Sequence, residues 1–151
     1  MEPIRCVFVG KSAVGKSTLL KRAAYDFGPV APTIGVDNKV FEYKGFYFQC
    51  WDCAGGDKFK TVSDIFVQHT QQTIYMYDAS RPLTLEVKNI PKGALIVANI
   101  SAGGAVPDGH VSVDAYDRNS VDALLDLIIE RNVVGQRRRP EENRQECCVC
   151  C

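Results

Sequence analysis

The stretch from Gly10 to Ser17, with the sequence GKSAVGKS, constrains the fold more than any other part of the chain. It matches the pattern G-x-x-x-x-G-K-S/T and lies between an apolar run at 4–9 and a helical pattern that begins at Lys16. The glycines allow tight turns close to phosphate oxygens, and N–H groups at the start of a helix favour anions. We therefore predict a phosphate-binding loop rather than a chance glycine turn.

The residue types within this loop predict separate contacts with a nucleoside triphosphate and with Mg²⁺. Lys16 is expected to bridge the outer phosphates, and the Ser17 hydroxyl is expected to ligate Mg²⁺. The predicted cofactor-binding members of the loop are Ser12, Ala13, Val14, Gly15, Lys16, Ser17 and Thr18.

Apolar runs alternate with helical periodicity through residues 1–134, which are predicted to form one domain before a flexible basic tail at 135–151. Strands are predicted at 4–9, 36–43, 46–51, 73–77, 94–98 and 111–113, with a hairpin turn at 44–45. Helices are predicted at 16–25, at 57–71 and, after an N-cap at Ser120, to about Arg131. This order predicts an α/β P-loop NTPase fold: a mostly parallel sheet with one antiparallel hairpin pair, and flanking helices reduced in the C-terminal half.

Over residues 4–80 the chain resembles a Ras-superfamily small GTPase, most closely of the Rab branch. The segments that carry the resemblance are PTIGVD at 32–37, WDCAG at 51–55 and MYDAS at 76–80. The resemblance implies that Thr33 coordinates Mg²⁺ and senses the γ-phosphate, that Asp52 reaches Mg²⁺ through water, and that the Gly55 N–H meets the γ-phosphate. It thus implies GTP or GDP with Mg²⁺ as cofactors, metal ligation by Ser17, Thr33 and Asp52, and catalytic positions at Lys16, Thr33 and Gly55.

The same resemblance implies a switch that acts in intracellular membrane traffic. Residues 26–37 and 55–70 would change with the nucleotide and contact effector, exchange and activating proteins. Phe27 would stack on the base, and Asn99 and Ala115 would complete the base site. Three aromatic residues near these segments are either packing residues or an effector-facing patch: Trp51, Phe59 and Phe66.

Two departures from the family pattern affect turnover and base choice. Gly56 stands where the family has the glutamine that orients the attacking water, so slow hydrolysis is expected. The stretch NISA at 99–102 stands where the family has N-K-x-D, and Ala102 cannot accept hydrogen bonds from guanine. Asp114 is a possible substitute that the spacing does not require, so guanine preference follows from the resemblance alone.

The connections in the C-terminal half are also shorter than in the family. Residues 79–93 have room for a short helix around 83–89, whereas the 11 residues of 100–110 are too few and too glycine-rich for one. We expect one face of the sheet to lack a covering helix and to leave an apolar strip exposed or paired with a partner. Either a functional short form or a degenerate gene fits this pattern.

The tail predicts attachment to a membrane. The sequence CCVCC at 147–151 follows the basic run 137–139, and its ending resembles that of Rab proteins, which implies lipidation of Cys150 and Cys151 by the prenylation machinery. Zinc binding and intramolecular disulfides fit such closely spaced cysteines poorly, and an unmodified tail is the other interpretation. No signal peptide or apolar run of spanning length occurs, so a cytoplasmic protein held at the cytosolic face of an internal membrane is expected.

Two functions are compatible with these features, and a third lacks the segments that it would need. The first is a Rab-like GTP/GDP switch with slow hydrolysis, and the alternative is a lipid-anchored pseudo-GTPase that binds nucleotide weakly or without base preference. An ATP-dependent kinase would need a lid with arginines and a substrate-binding insertion, for which the chain has no segment. Lysine plus arginine and aspartate plus glutamate number 18 each, which gives no basic surplus for a nucleic acid.

Overall fold

A computed structural model describes residues 2–26, 28 and 35–137. The strands are β1 (Ile4–Val9), β2 (Val36–Tyr43), β3 (Phe46–Cys53), β4 (Gln72–Asp78), β5 (Leu95–Asn99) and β6 (Val111–Val113). The α-helices are α1 (Lys16–Ala23), α2 (Lys60–His69) and α3 (Arg118–Arg137), and short 3-10 turns lie at Asp57–Phe59, Pro82–Thr84 and Val87–Asn89. None of these helices is long and apolar enough to cross a membrane.

The six strands form one sheet in the order β2-β3-β1-β4-β5-β6. The hairpin pair β2 and β3 is antiparallel, and every other neighbouring pair is parallel. This is the predicted α/β architecture. After β1 the chain goes to one side of the sheet for β2 and β3, and then to the other side for β4. The carboxyl end of β1 is therefore a topological switch point, where open α/β sheets form ligand crevices.

Both faces of the sheet bury apolar side chains, because successive residues of a strand point to opposite faces. In β1, Cys6 and Phe8 join the cluster beneath α1 and α3, whereas Val7 and Val9 join the cluster on the α2 face. The β1 strand is thus buried on both sides, as its continuous apolar run indicates.

The α2 face differs from its expected form. Residues 100–110 contain no helix, as predicted, and residues 79–93 form two 3-10 turns instead of one short helix. Tyr75, Tyr77 and Ala98 are nevertheless buried, because Leu85 and Val106 of these connections pack against their cluster. The expectation that the sheet leaves an apolar strip exposed on this face is therefore wrong: the connection with two 3-10 turns and the helix-free connection 100–110 cover the strands.

Helix α1 ends two residues before its predicted end, for a local reason. Tyr25 adopts a left-handed conformation with φ of 57°, and its N–H donates to the Arg22 carbonyl, 3.2 Å away. The next N–H, of Asp26, donates to the Lys21 carbonyl at 2.8 Å. This pair of bonds is a Schellman motif, which satisfies the last carbonyls and stops the helix.

Helix α3 begins and ends outside its predicted bounds. Asp117 caps it, since its carboxylate accepts the Asn119 N–H at 3.2 Å. Ser120 is not the N-cap, because it is the third residue of the helix and its hydroxyl accepts the Asp114 N–H at 2.8 Å. At the other end α3 continues to Arg137, past both the predicted end and the predicted domain boundary at 134.

Candidate nucleotide site

The candidate site lies where five parallel strands end at one edge of the sheet. Neighbouring loops and strand ends there enclose a cavity of about 570 Å³, which is within the usual range for small-molecule sites. Its lining comprises Ser12, Ala13, Val14, Gly15, Lys16, Ser17, Thr18, Asp52, Cys53, Ala54, Gly55, Asp78, Asn99, Ser101, Ala102 and Tyr116. Every predicted loop residue from Ser12 to Thr18 is in this lining, together with Asp52, Gly55 and Asn99.

Close backbone approach shapes the phosphate side of the cavity. Gly15 has φ of 108°, and a Cβ there would lie 2.4 Å from Nδ2 of Asn99. A Cβ on Gly55 would lie 2.2 Å from the Ser12 backbone nitrogen. A Cβ at Gly15 would collide with the Asn99 side chain, and a Cβ at Gly55 would collide with the backbone of the 10–17 loop. That loop and the Gly55 backbone therefore meet only because Gly55 is glycine.

The Lys16 side chain is buried inside the loop. Its Nζ donates to the carbonyls of Gly10, at 2.9 Å, and Lys11, at 2.6 Å, and the residue is only 6% exposed. Burial lowers the pKa of this amine to about 8, although nearby Asp52 partly offsets the shift. A desolvated amine in the cavity lining is suited to bind a phosphate oxygen, whose negative charge would favour the charged form further.

Ser17 and Asp52 form the part of the cavity that fits a magnesium ion. The Ser17 hydroxyl donates to Oδ2 of Asp52, which is 2% exposed. A hydroxyl and a carboxylate are hard oxygen ligands of the kind that Mg²⁺ takes beside phosphate and water. Burial raises the pKa of the adjacent Cys53 thiol to about 11, so no thiolate competes there at neutral pH. Among the described residues, no three or more His, Cys, Asp or Glu side chains group to hold a metal by themselves.

Asn99 connects the phosphate side to the part of the cavity lined by Ser101, Ala102 and Tyr116, which we call the base side. Its Nδ2 donates to the Val14 carbonyl at 3.0 Å, and its Oδ1 accepts the Ser101 hydroxyl at 2.7 Å. The same oxygen accepts the Ala115 N–H at 3.3 Å. Ala115 itself is fully buried and is absent from the cavity lining; its neighbours Ser101, Ala102 and Tyr116 line the base side instead. Ser101 and Tyr116 were not among the predicted site residues, although they flank the predicted positions.

A second contact that the sequence analysis missed holds the front of the phosphate loop. Arg81 donates from its guanidinium to the Ala13 carbonyl and to Oδ2 of Asp78, the latter at 2.9 Å. Ala13 has φ of 60°, an uncommon conformation for a residue with a Cβ. Burial would raise the pKa of Asp78, but hydrogen bonds from Ser80 and Arg81 lower it below its usual value. The only sequence signal for this contact is an arginine three residues after the strand-ending aspartate.

Several predicted positions lie outside the described residues: Phe27, Thr33, Cys150 and Cys151. Gly56 is described, and it has room for a side chain, since a Cβ there would approach nothing closer than the Phe59 ring at 3.6 Å. Trp51 and Phe66 are half-buried and in contact, with ring centroids 5.7 Å apart.

Comparison with known proteins identifies the family. Residues 5–93 match the family described as Roc, the Ras of Complex domain of DAPkinase, and this match covers more than half of the chain. The chain belongs to the Roc family. It is accordingly a small GTPase-like nucleotide-binding domain of the Ras superfamily, a class that binds guanine nucleotides, usually with Mg²⁺.

One curated relative is similar to about half of the chain. A human protein named EF-hand calcium-binding domain-containing protein 4B is 36% identical over 80 residues, which are 49% of this chain and 11% of that protein. The chain thus spans about a tenth of the length of this curated relative. The Roc match ends at residue 93, before β5, so it includes the phosphate side of the cavity and stops short of Asn99 and the rest of the base side.

Proposed function

We propose that the chain is a Rab-like switch that binds GTP and GDP with Mg²⁺ and hydrolyses GTP slowly. The observation that carries this proposal is the buried Lys16 amine, which faces the same cavity as the Ser17–Asp52 pair. An amine, a hydroxyl and a carboxylate at neighbouring strand ends are the groups that phosphoryl transfer requires from a P-loop protein.

Each side chain of the site would have its own role. Lys16 would exchange its two carbonyl partners for phosphate oxygens, and Ser17 and Asp52 would hold Mg²⁺ against the phosphates. The bound ion would supply charge that stabilises the transferring phosphoryl group. The Gly55 N–H would bind the γ-phosphate, and the 55–70 segment would respond to its loss.

Slow turnover follows from what Gly56 lacks. A glycine has no amide or carboxylate to hold an attacking water in line with the γ-phosphate, and misplacement of a reactant costs orders of magnitude in rate. Bound GTP would therefore persist, and release of the switch would depend on an activating protein. The pseudo-GTPase alternative rests on the same glycine together with Ala102, which cannot accept hydrogen bonds from a base.

Partners and location complete the proposal. Effector, exchange and activating proteins would bind residues 26–37 and 55–70; in support, Val62 and Ile65 of α2 are 39% and 52% exposed. The chain would be lipidated at Cys150 and Cys151 and would lie on the cytosolic face of an internal membrane. Phase partitioning of the protein from eukaryotic cells tests the proposed lipid anchor. The proposal of an anchor is wrong if replacing both cysteines by serine leaves membrane attachment unchanged.

A titration of purified protein with Mg²⁺ complexes of GTP, GDP and ATP, followed by phosphate release, separates the switch from the pseudo-GTPase. Selective binding of GTP and GDP with slow release supports the switch. Weak or base-independent binding supports the pseudo-GTPase. Ser17→Asn should abolish Mg²⁺-dependent binding, with Ser112→Asn on the exposed side of β6 as a matched control.

A further inference from the structure

The loop after β6 places a carboxylate beside the base side of the cavity. Asp114 follows β6 directly, and the parallel register pairs Val113 with Asn99. Asp114 is therefore level with the start of the loop that leaves β5, at the edge of the sheet where the cavity opens. The family match ends before this region.

Two cavity-lining residues hold this carboxylate in place. Oδ1 of Asp114 accepts the Ser101 hydroxyl at 2.9 Å and the Tyr116 N–H at 3.0 Å. Ser101 and Tyr116 both line the cavity, so the carboxylate lies immediately behind its wall. An ionised carboxylate has about four acceptor positions, and these two bonds leave capacity for two more donors.

The other carboxylates of the cavity are committed to the phosphate side. Among its described lining residues these are Asp52, which accepts from Ser17, and Asp78, which accepts from Ser80 and Arg81. Ala102, which does line the base side, carries only a methyl group. A base edge with two adjacent donors would therefore have a nearby acceptor in Asp114, whose carboxylate is bonded to two residues that line this side.

We propose that Asp114 is the residue that selects guanine, a proposal that rests on the nucleotide-binding function above. Guanine presents its N1–H and its 2-amino group side by side, and a single carboxylate accepts both. Adenine has an acceptor at N1, and xanthine has a carbonyl oxygen at position 2, so both oppose a carboxylate there. On nucleotide binding the Asp114 side chain would turn so that both oxygens accept from the base, and Oδ1 would release one of its two present donors, Ser101 or Tyr116.

The test compares Mg²⁺ complexes of GDP, XDP and ADP on the full chain and on Asp114→Asn. The wild type should prefer GDP, and the variant should bind GDP roughly tenfold more weakly, as expected for one bidentate base contact. It should also gain affinity for XDP, because the new amide donates to the 2-carbonyl oxygen. Asp108→Asn, an exposed carboxylate in the loop before β6, removes the same charge and should change neither value.

A second variant distinguishes base selection from damage to the fold. Ala102→Asp in the Asp114→Asn background returns a carboxylate to the same wall and should restore the preference for GDP over XDP. Selective GDP binding by the wild type with an unchanged preference in Asp114→Asn overturns this inference and leaves the nucleotide-binding function intact. Equal wild-type affinity for the three nucleotides overturns it as well, and binding of none of them overturns both proposals.

Discussion

The phosphate side and the base side of the cavity differ in which part of the chain makes the contacts. On the phosphate side, two backbone segments approach so closely that a Cβ on Gly55 would lie 2.2 Å from the Ser12 backbone nitrogen. On the base side, Ser101, Ala102 and Tyr116 present side chains. Backbone recognition depends on glycines at fixed positions, whereas a side-chain contact can move to a neighbouring loop. The family match includes the first side and ends before the second.

The largest effect expected from this comparison is loss of phosphate recognition without loss of the base contacts. Lys16→Ala removes the amine that faces the phosphates, and we expect affinity for Mg²⁺-GDP and Mg²⁺-GTP to fall by roughly a thousandfold, as for a buried charged contact. Isothermal titration measures the change. Lys11→Ala is the matched control, because that side chain points to Glu86, with 3.4 Å between the charged atoms. A loss of similar size in both variants would show that the effect does not come from the buried amine.

A gain of turnover is the next effect in size. Gly56→Gln supplies the missing amide at a position with space for it, since the nearest atom to a new Cβ is 3.6 Å away. We expect single-turnover hydrolysis to accelerate by roughly tenfold to a hundredfold. Gly56→Ala fills the same space without an amide and should leave the rate unchanged. Equal acceleration by both variants would attribute the gain to backbone stiffening instead.

The residues predicted for the phosphate side lie together, and this has a physical reason. Its contacts require particular residues at fixed spacing, and the loop from Ser12 to Thr18, Asp52 and Gly55 line one cavity as expected. The six strands also lie where their apolar runs placed them. Thr33 and Phe27 lie outside the described residues and stay predictions.

The base side and the helix ends were predicted less well, because tertiary contacts decide them. Ser120 resembles an N-cap by type, but its hydroxyl accepts the Asp114 N–H and leaves the cap to Asp117. Arg81 has no motif, and its role depends on a bond to Ala13, 68 positions earlier in the chain. A local sequence pattern cannot predict a contact between two loops that are so distant in sequence.

The pH dependence of stability and of nucleotide affinity tests the phosphate side independently, and its expected effect is smaller. The pKa of Lys16 in the free protein is lowered from 10.5 to about 8, so above pH 8 the folded protein loses a proton that the unfolded chain keeps. Stability of the free protein should consequently rise with pH between about 8 and 10.5. Phosphate favours the charged amine, so nucleotide affinity should fall over the same range, by roughly eightfold from pH 7.5 to pH 9. A flat profile of both quantities would mean that Lys16 does not titrate in this range.

The smallest effect tests whether the two sides act separately. Arg81→Ala removes the bond to the Ala13 carbonyl, and because this arginine is half-exposed we expect only about a fivefold loss of affinity. The loss should be equal for GDP, XDP and ADP, since the arginine holds the phosphate loop and lies away from the base. Arg81→Lys should recover part of it, because an amine can reach one of the two partners that the guanidinium joins.

Asp114→Asn should instead change the ratio of the affinities for the three nucleotides. A base-dependent loss in Arg81→Ala would show that the phosphate and base sides are coupled, and Asn99, which bonds to both Val14 and Ser101, would be the connection to test next.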